Sequence, residues 1–536
     1  MQKSTSTLSP RHIGFLLALS LLYFLTLILP NHTGAQNPEM LAIFEVDEFA
    51  QYAHAVRMAS GSDTLVGSLR NFVAYQHYFY GYPFYFLSAL VLLPLRVLLG
   101  SGWAAHTSTL VLVLRQCISV LPNLLSVWLL TYAATGFAAR LKTIVLFVLL
   151  LIVPGLLVNS LWWHADGLAL LCVSLVFFCL RRDGLRFGPY FWWAAAAAGL
   201  GLGIKYSTAW FVLTIPTYLF LGLRRGRLGR GRALRLAAGF LGVMLLAFVL
   251  SNPLLLLPQE RAELLATQRL QFEQTRQGIL VGRPAFLEGG RLPTWLTSHY
   301  GGGAFLALLG AALLLGWARR ATRPQAALLS AWLLPALFIT FNASSFRPHY
   351  WLPVLLPAIT ALVFVLPDSL ADLRRAAGWP RLLQWLVLAL LGFQAAHFMR
   401  TDAGLITSTL QREQNSPSLQ FYGAVQAQLA AASPAQPLRI YRDWKVYFPS
   451  RAGLEVFMDW ELGSLDMLNS EQPDILLLER ENVLAYGDAH YLANAPDPAR
   501  LEPMHRFYRA ALLHQLEGYT LMYEDAFGLM FVRPAN

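Results

Sequence analysis

The sequence predicts a mainly α, polytopic transmembrane helical bundle that carries a small C-terminal α/β domain. Three observations predict it. Of 536 residues, 56% are hydrophobic and only 13% charged, with a mean hydropathy of +0.47, a balance outside that of soluble globular chains. Apolar runs close to twenty residues recur from Gly14 to Phe398, each long enough for a hydrocarbon core of ~30 Å. Beyond Arg400 the composition turns to short β-rich runs alternating with helical stretches.

The first run, Gly14 to Leu29, has no A-x-A-like cleavage site after it and reads as a retained signal-anchor. Arginines and lysines then decide the topology. They cluster at Lys3/Arg11, Arg140/Lys142, Arg181/Arg182/Arg186, Arg224 to Arg235, Arg319/Arg320/Arg323 and Arg374/Arg375/Arg381. Keeping every cluster inside needs an even number of crossings between consecutive clusters. Spans near 12–29, 108–133, 142–160, 161–180, 189–204, 206–223, 234–257, 300–317, 326–341, 349–366 and 382–399 satisfy this. The result is about eleven spans, an inside N-terminus and an outside C-terminus.

One apolar run, Tyr82 to Leu99, must then stay out of the count, because a crossing there would invert every later loop. Its aromatic start, Tyr78-Phe79-Tyr80-Gly81-Tyr82-Pro83-Phe84-Tyr85, suits a helix lying in the membrane interface. Residues 30–107 thus read as one external loop with juxtamembrane helices. A second external loop, 258–299, breaks the charge rule with several arginines, as longer loops do. Its stretch Glu263 to Phe272 has the spacing of another interfacial helix.

Two domains follow: a transmembrane domain over 1–400 and an extracytoplasmic α/β domain over 401–536. In the latter, Pro437 to Tyr441, Asp474 to Leu478, Tyr519 to Tyr523 and Gly528 to Val532 read as strands. Leu419 to Ala432 and Pro498 to Leu516 read as helices.

The formal net charge of +11 does not indicate nucleic acid, because the basic residues concentrate in short loops between spans, where they act as topology signals. Cys117, Cys172 and Cys179 all fall inside apolar spans and form no C-x-x-C pair, so neither a disulfide framework nor a cysteine metal site is indicated. No Walker loop or dinucleotide fingerprint is present. Short arginine-rich loops place the protein in a bacterial cytoplasmic (inner) membrane.

The densest signal is Phe44-Glu45-Val46-Asp47-Glu48-Phe49, three carboxylates beside a membrane interface. A carboxylate held near an apolar wall can accept a proton from an acceptor hydroxyl; the plainer role is an acidic helix start. His164 and Asp166 follow at the tip between two spans, after Trp162 and Trp163. They suit sugar hydroxyls, an acceptor or a metal shared with the first loop, or else a polar helix cap between interfacial anchors. Lys205, in Gly203-Ile204-Lys205-Tyr206, departs from the inside-positive trend and suits a phosphate, the alternative being a snorkelling lysine. Arg347 and His349 form a third external cation site, and Arg115 lies inside or at the mouth of a span, where arginines have specific partners. Carboxylates for proton removal and cations for an anionic leaving group thus share one membrane face.

These residues resemble the GT-C superfamily of membrane glycosyltransferases, which contains protein O-mannosyltransferases and lipid A aminoarabinose transferases. The resemblance covers 12–400. It rests on Val46-Asp47-Glu48-Phe49, Tyr80 to Tyr85, Leu114-Arg115-Gln116, His164-Ala165-Asp166, Lys205-Tyr206-Ser207 and Arg347 to Pro353. One departure is a single proline, Pro83, where the family often has His-Pro-Pro. The resemblance implies an inverting transfer from a polyprenyl-phosphate-linked sugar to a lipid, glycan or protein acceptor on the extracytoplasmic face. Asp47 would be the catalytic base with Glu48 beside it. His164, Asp166 and His349 would bind sugar or acceptor, and Lys205, Arg347 and Arg115 would contact the lipid phosphate. Membrane lipids are the other expected partners, and a divalent cation is a candidate cofactor whose use differs within the superfamily.

Two other classes fit less well. A transporter or flippase of a lipid-linked sugar would keep its ionisable groups near the midplane and show internal pseudo-symmetry; here the candidates gather at span ends and no repeat stands out. A scaffold anchored by the spans leaves the acidic loops without a task.

Overall fold

The computed structural model describes residues 9–138, 140–277, 291–334, 348–375, 378–432, 438–451, 453–460 and 462–534. Most of them are helical, as expected. Among the described residues, six helices are long and apolar enough to cross a membrane, Pro10–His32, Tyr82–Ala105, Thr107–Thr135, Tyr206–Arg224, Arg230–Leu250 and Trp379–Leu410. A seventh candidate is the pair Arg140–Leu151 and Pro154–Ser160, bent by 53° at Pro154, whose ring cannot continue the preceding helix. Gly303–Ala318 and His349–Phe364 are shorter apolar helices. The chain is an integral membrane protein; the second half of the expected 326–341 span lies outside the described residues.

Lipid supplies no hydrophobic drive between helices, so close backbone approach at small residues matters more. Pro189–Ile204 carries Ala194 to Ala198, Gly199, Gly201 and Gly203. A Cβ at Gly199 would stand 2.1 Å from the Met244 carbonyl oxygen of Arg230–Leu250. Only glycine permits that contact.

Side-chain bonds give the helices their direction. Trp128 Nε1 donates to Ser20 Oγ at 3.0 Å, Tyr23 OH to Ser160 Oγ at 3.2 Å, and Arg115 Nη1 to the Asn31 carbonyl at 2.7 Å. Pro10–His32 and Thr107–Thr135 therefore run antiparallel. Three of the basic clusters meet at one end. There Lys142 Nζ meets Asp368 at 2.7 Å, Arg181 Nε donates to the Ala133 carbonyl at 3.1 Å, and Arg319 Nη1 to the Phe364 carbonyl at 2.9 Å. Asp47, His164 and Lys205 share the opposite end.

The run at Tyr82–Leu99 forms one helix. By length and composition it could cross a membrane, unlike the interfacial helix expected there, yet both its ends lie on the Asp47 side. Tyr82 N donates to Asn252 Oδ1 at 3.2 Å, beside Gly203. At the other end the chain passes through Gly100–Ala105 into Thr107, a helical stretch beyond Arg115 and away from Thr135. Pro258–Gln277 is likewise helical.

All four expected strands are present, with a fifth that the sequence reading missed. The strands β1 (Leu438–Arg442), β2 (Leu454–Phe457), β3 (Ile475–Glu479), β4 (Thr520–Glu524) and β5 (Gly528–Val532) form one sheet in the order β2-β1-β3-β5-β4. β1 is parallel to β2 and β3, while β5 is antiparallel to β3 and β4. Ile475 to Leu478 are all buried, as expected of a strand covered on both faces. The helices Pro417–Ala432 and Pro498–Leu512 pack on it through Phe421, Phe507 and Tyr508. This sheet unit docks on the Asp47 loop: Asn37 Nδ2 donates to Tyr447 OH at 2.7 Å, and the Phe49 and Trp460 rings are 5.6 Å apart.

Candidate active site

The helix Val46–Ser60 opens with Asp47 and Glu48 in its first turn, where the helix dipole favours carboxylates. The two then part company. Asp47 keeps a third of its side chain exposed. Glu48 is sealed: its oxygens accept from Arg115 Nε at 2.8 Å and Arg115 Nη2 at 2.5 Å, and Oε1 also accepts from the Trp163 backbone N–H at 2.5 Å. Gln51, one turn further on, donates to the Trp163 carbonyl at 2.6 Å. Val46–Ser60 is thereby stitched to the tip that carries His164.

Arg115 changes role. It too is fully buried, and besides Glu48 its Nη1 donates to the carbonyls of Asn31 and Thr33 at 2.7 and 3.0 Å. It opens a wide π turn, Arg115–Val120, a feature frequent at functional sites. A guanidinium committed to a carboxylate and two carbonyls behind the site is not presented to a lipid phosphate. Glu48, committed to that guanidinium, is likewise not presented to an acceptor. Both expectations for this pair are corrected to a structural clasp.

The remaining described candidates converge. His164 Nδ1 lies 2.5 Å from Asp166 Oδ2, and His164 Nε2 faces Tyr80 OH at 2.6 Å and Asp47 Oδ2 at 3.7 Å. Trp162 stacks on the imidazole at 4.0 Å between centroids, with 5° between planes. Asp166 Oδ1 accepts from Lys205 Nζ at 2.7 Å, and His349 Nε2 lies 3.9 Å from Asp166 Oδ2. Lys205 Nζ also sits 5.3 Å from the centre of the Tyr350 ring, a cation–π approach. A row of charged and polar side chains thus runs Asp47, His164, Asp166, Lys205, with His349 beside it. Arg347 lies outside the described residues.

Tyr80 is the member that sequence reasoning missed as a site residue. Burial, with Asp47 and Asp166 nearby, pushes its phenol well above the usual range, so it stays a neutral hydroxyl. Its position depends on a backbone crossing: Gly81 N donates to the Ile204 carbonyl at 3.0 Å, and a Cβ at Gly81 would meet the Gly203 carbonyl oxygen at 1.5 Å. The crossing brings Tyr80 and Lys205 to the same wall. The signal was the pair of glycines, Gly81 adjoining Tyr80 and Gly203 two positions before Lys205.

Among the described residues, no group of three or more His, Cys, Asp and Glu side chains is arranged to hold a metal ion. The Asp166 oxygens are already engaged by Lys205 and His164.

No protein-family model matches the chain, and no curated protein matches it. Solved structures do. ArnT from Cupriavidus metallidurans bound to undecaprenyl phosphate aligns over 98% of this chain and 98% of its own, at 16% identity and a TM-score of 0.53. ArnT from the same organism in the apo state aligns over 97% of each chain, at 16% identity and a TM-score of 0.49. The bound structure shows the shared fold along the length of the chain, a helical membrane bundle with a small C-terminal sheet.

Proposed function

We propose that the protein is a membrane glycosyltransferase that moves a sugar from a polyprenyl-phosphate donor to an acceptor on the extracytoplasmic face, with inversion at the anomeric carbon. The observation that carries this reading is the chain from Asp47 to Lys205, a partly exposed carboxylate and a lysine joined by His164 and Asp166 at the end opposite the basic clusters. The fold shared with ArnT, crystallised with undecaprenyl phosphate, supports the donor class. Fold alone does not assign a reaction; the carboxylate and cation of the site do.

In this reading Asp47 takes the proton of the acceptor hydroxyl as its oxygen attacks the anomeric carbon. The bond from that carbon to the phosphate oxygen breaks on the opposite face, and the electron pair leaves with the phosphate. Lys205 meets the charge growing on the leaving oxygens, a task also assigned to Arg347. His349 and Asp166 orient hydroxyls of the sugar or acceptor. Glu48 and Arg115 hold the Asp47 helix against the His164 tip.

The test is transfer from polyprenyl-phosphate-linked sugars in proteoliposomes, using parent and Asp47→Asn. Parent turnover with a silent variant is the expected outcome; equal turnover by both removes the assignment.

A further inference from the structure

We propose that His164 stores the proton that Asp47 removes from the acceptor, and that Asp166 couples this storage to the lipid phosphate by sharing Lys205 with it. The inference rests on the reading of Lys205 as a phosphate ligand. Asp166 uses its two oxygens for two different cations-in-waiting: Oδ1 for Lys205 at 2.7 Å, Oδ2 for His164 Nδ1 at 2.5 Å. Lys205 and His164 thus share one carboxylate, with Asp47 the second carboxylate facing the imidazole. A phosphodiester donor carries one negative charge and the departing phosphomonoester carries two. As the second charge develops it draws Lys205 Nζ from Asp166, leaving that carboxylate to hold a protonated His164. Leaving-group charge and imidazole proton therefore rise together.

The surroundings of His164 suit the task. Asp47, on Val46–Ser60, faces Nε2 at 3.7 Å and is the donor of the proton. Tyr80 OH, ahead of Tyr82–Leu99, bonds the same nitrogen at 2.6 Å and can donate to it or accept from it. The indole of Trp162 covers the ring face, where a cation is favoured. His349 approaches with its ring 5.2 Å away. Behind the tip, the Glu48–Arg115 pair bonds the Trp163 backbone, and Ser119 Oγ accepts from the His164 backbone N–H at 3.4 Å. The imidazole is 1% exposed, and among the described residues Asp47 and Tyr80 are the polar groups that face its Nε2. Protons balance: one leaves the acceptor hydroxyl, passes through Asp47 to His164 Nε2, and returns to solvent after the lipid phosphate departs.

Linkage makes this measurable without turnover, because phosphate binding that raises the proton affinity of His164 must itself take up protons. Geranyl phosphate, a soluble isoprenyl monophosphate, is titrated into the full chain in nanodiscs at pH 8, in buffers of different ionisation enthalpy. The parent is expected to take up a proton fraction approaching one per ligand. His164→Gln is expected to bind within about threefold of the parent with no uptake, and Lys205→Gln to bind at least tenfold more weakly. A second readout needs no histidine variant. The pH midpoint of the fluorescence quenching removed by Trp162→Phe should move up when geranyl phosphate is added. Binding that requires Lys205 but takes up no proton, or uptake retained by His164→Gln, overturns the storage role and leaves the donor site standing. Absence of binding, or binding indifferent to Lys205, overturns both.

Discussion

Glu48 and Arg115, 67 positions apart in the chain, form a two-pronged ion pair with both side chains sealed from solvent. The pair ties the helix that presents Asp47 to the π turn beneath His164. Desolvation of such a pair is costly, so it is weak grounds for net stability, but breaking it leaves one charge buried alone.

Arg115→Ala should therefore lower stability by about 3–5 kcal/mol, read as a large fall in the unfolding midpoint in detergent. The double variant Glu48→Leu with Arg115→Met should recover most of that loss. An Arg115→Ala protein as stable as the parent would contradict the clasp.

Asp47→Asn should keep the parent's unfolding midpoint and its affinity for lipid phosphate, while transfer falls by a factor of about 10²–10⁴, the usual span for a general base. Single-turnover assays with bound donor separate the two effects. A loss that appears only in donor affinity would move Asp47 out of the proton-transfer role.

Gly81→Ala puts a methyl into the Gly203 carbonyl, which stands 1.5 Å from the ideal Cβ position. The crossing must open, taking Tyr80 away from His164 and Lys205 away from Asp166. Transfer and lipid binding should fall together, by at least about tenfold each, a cost of ~1.4 kcal/mol or more apiece. Gly302→Ala, where the nearest heavy atom is 3.6 Å from the built Cβ, is the matched control and should act like the parent.

The sheet unit gives a pH prediction. Burial, only partly offset by Lys445 at 3.6 Å, pushes the Glu479 carboxyl up to about 7. Between its ordinary value of 4.5 and about 7, the folded state keeps a proton that the unfolded state releases. Stability therefore falls as pH rises through that window and levels off above it. Glu479→Gln should flatten the slope and gain on the order of 1–3 kcal/mol over the parent at pH 8. A parent whose unfolding midpoint does not change between pH 5 and pH 8 would refute this.

The sequence made the large-scale plan legible because charge and hydropathy carry it. Basic clusters fall at one end, the acidic and lysine tips at the other, and the aromatic start at Tyr78 marks a helix that begins and ends on the Asp47 side. Asp47, His164, Asp166, Lys205 and His349 were readable as candidates because a polar residue at a span end is conspicuous. What stayed hidden was pairing. Nothing local distinguishes Glu48 from Asp47, since both start the same helix; only the distant Arg115 buries one and leaves the other partly open. Tyr80 was hidden among other tyrosines and phenylalanines, distinguished only by the Gly81–Gly203 crossing. The edge strand β2 was missed because Leu454–Phe457 is short and has a charged residue, Glu455, at its second position.

Phe49, the immediate neighbour of Glu48, rests on Trp460 of the sheet unit, and Asn37, upstream of the same loop, is bonded to Tyr447. The sheet unit and the helix that presents Asp47 consequently share a seam. A displacement of one would pull on the turn that carries Asp47, so neither can shift alone.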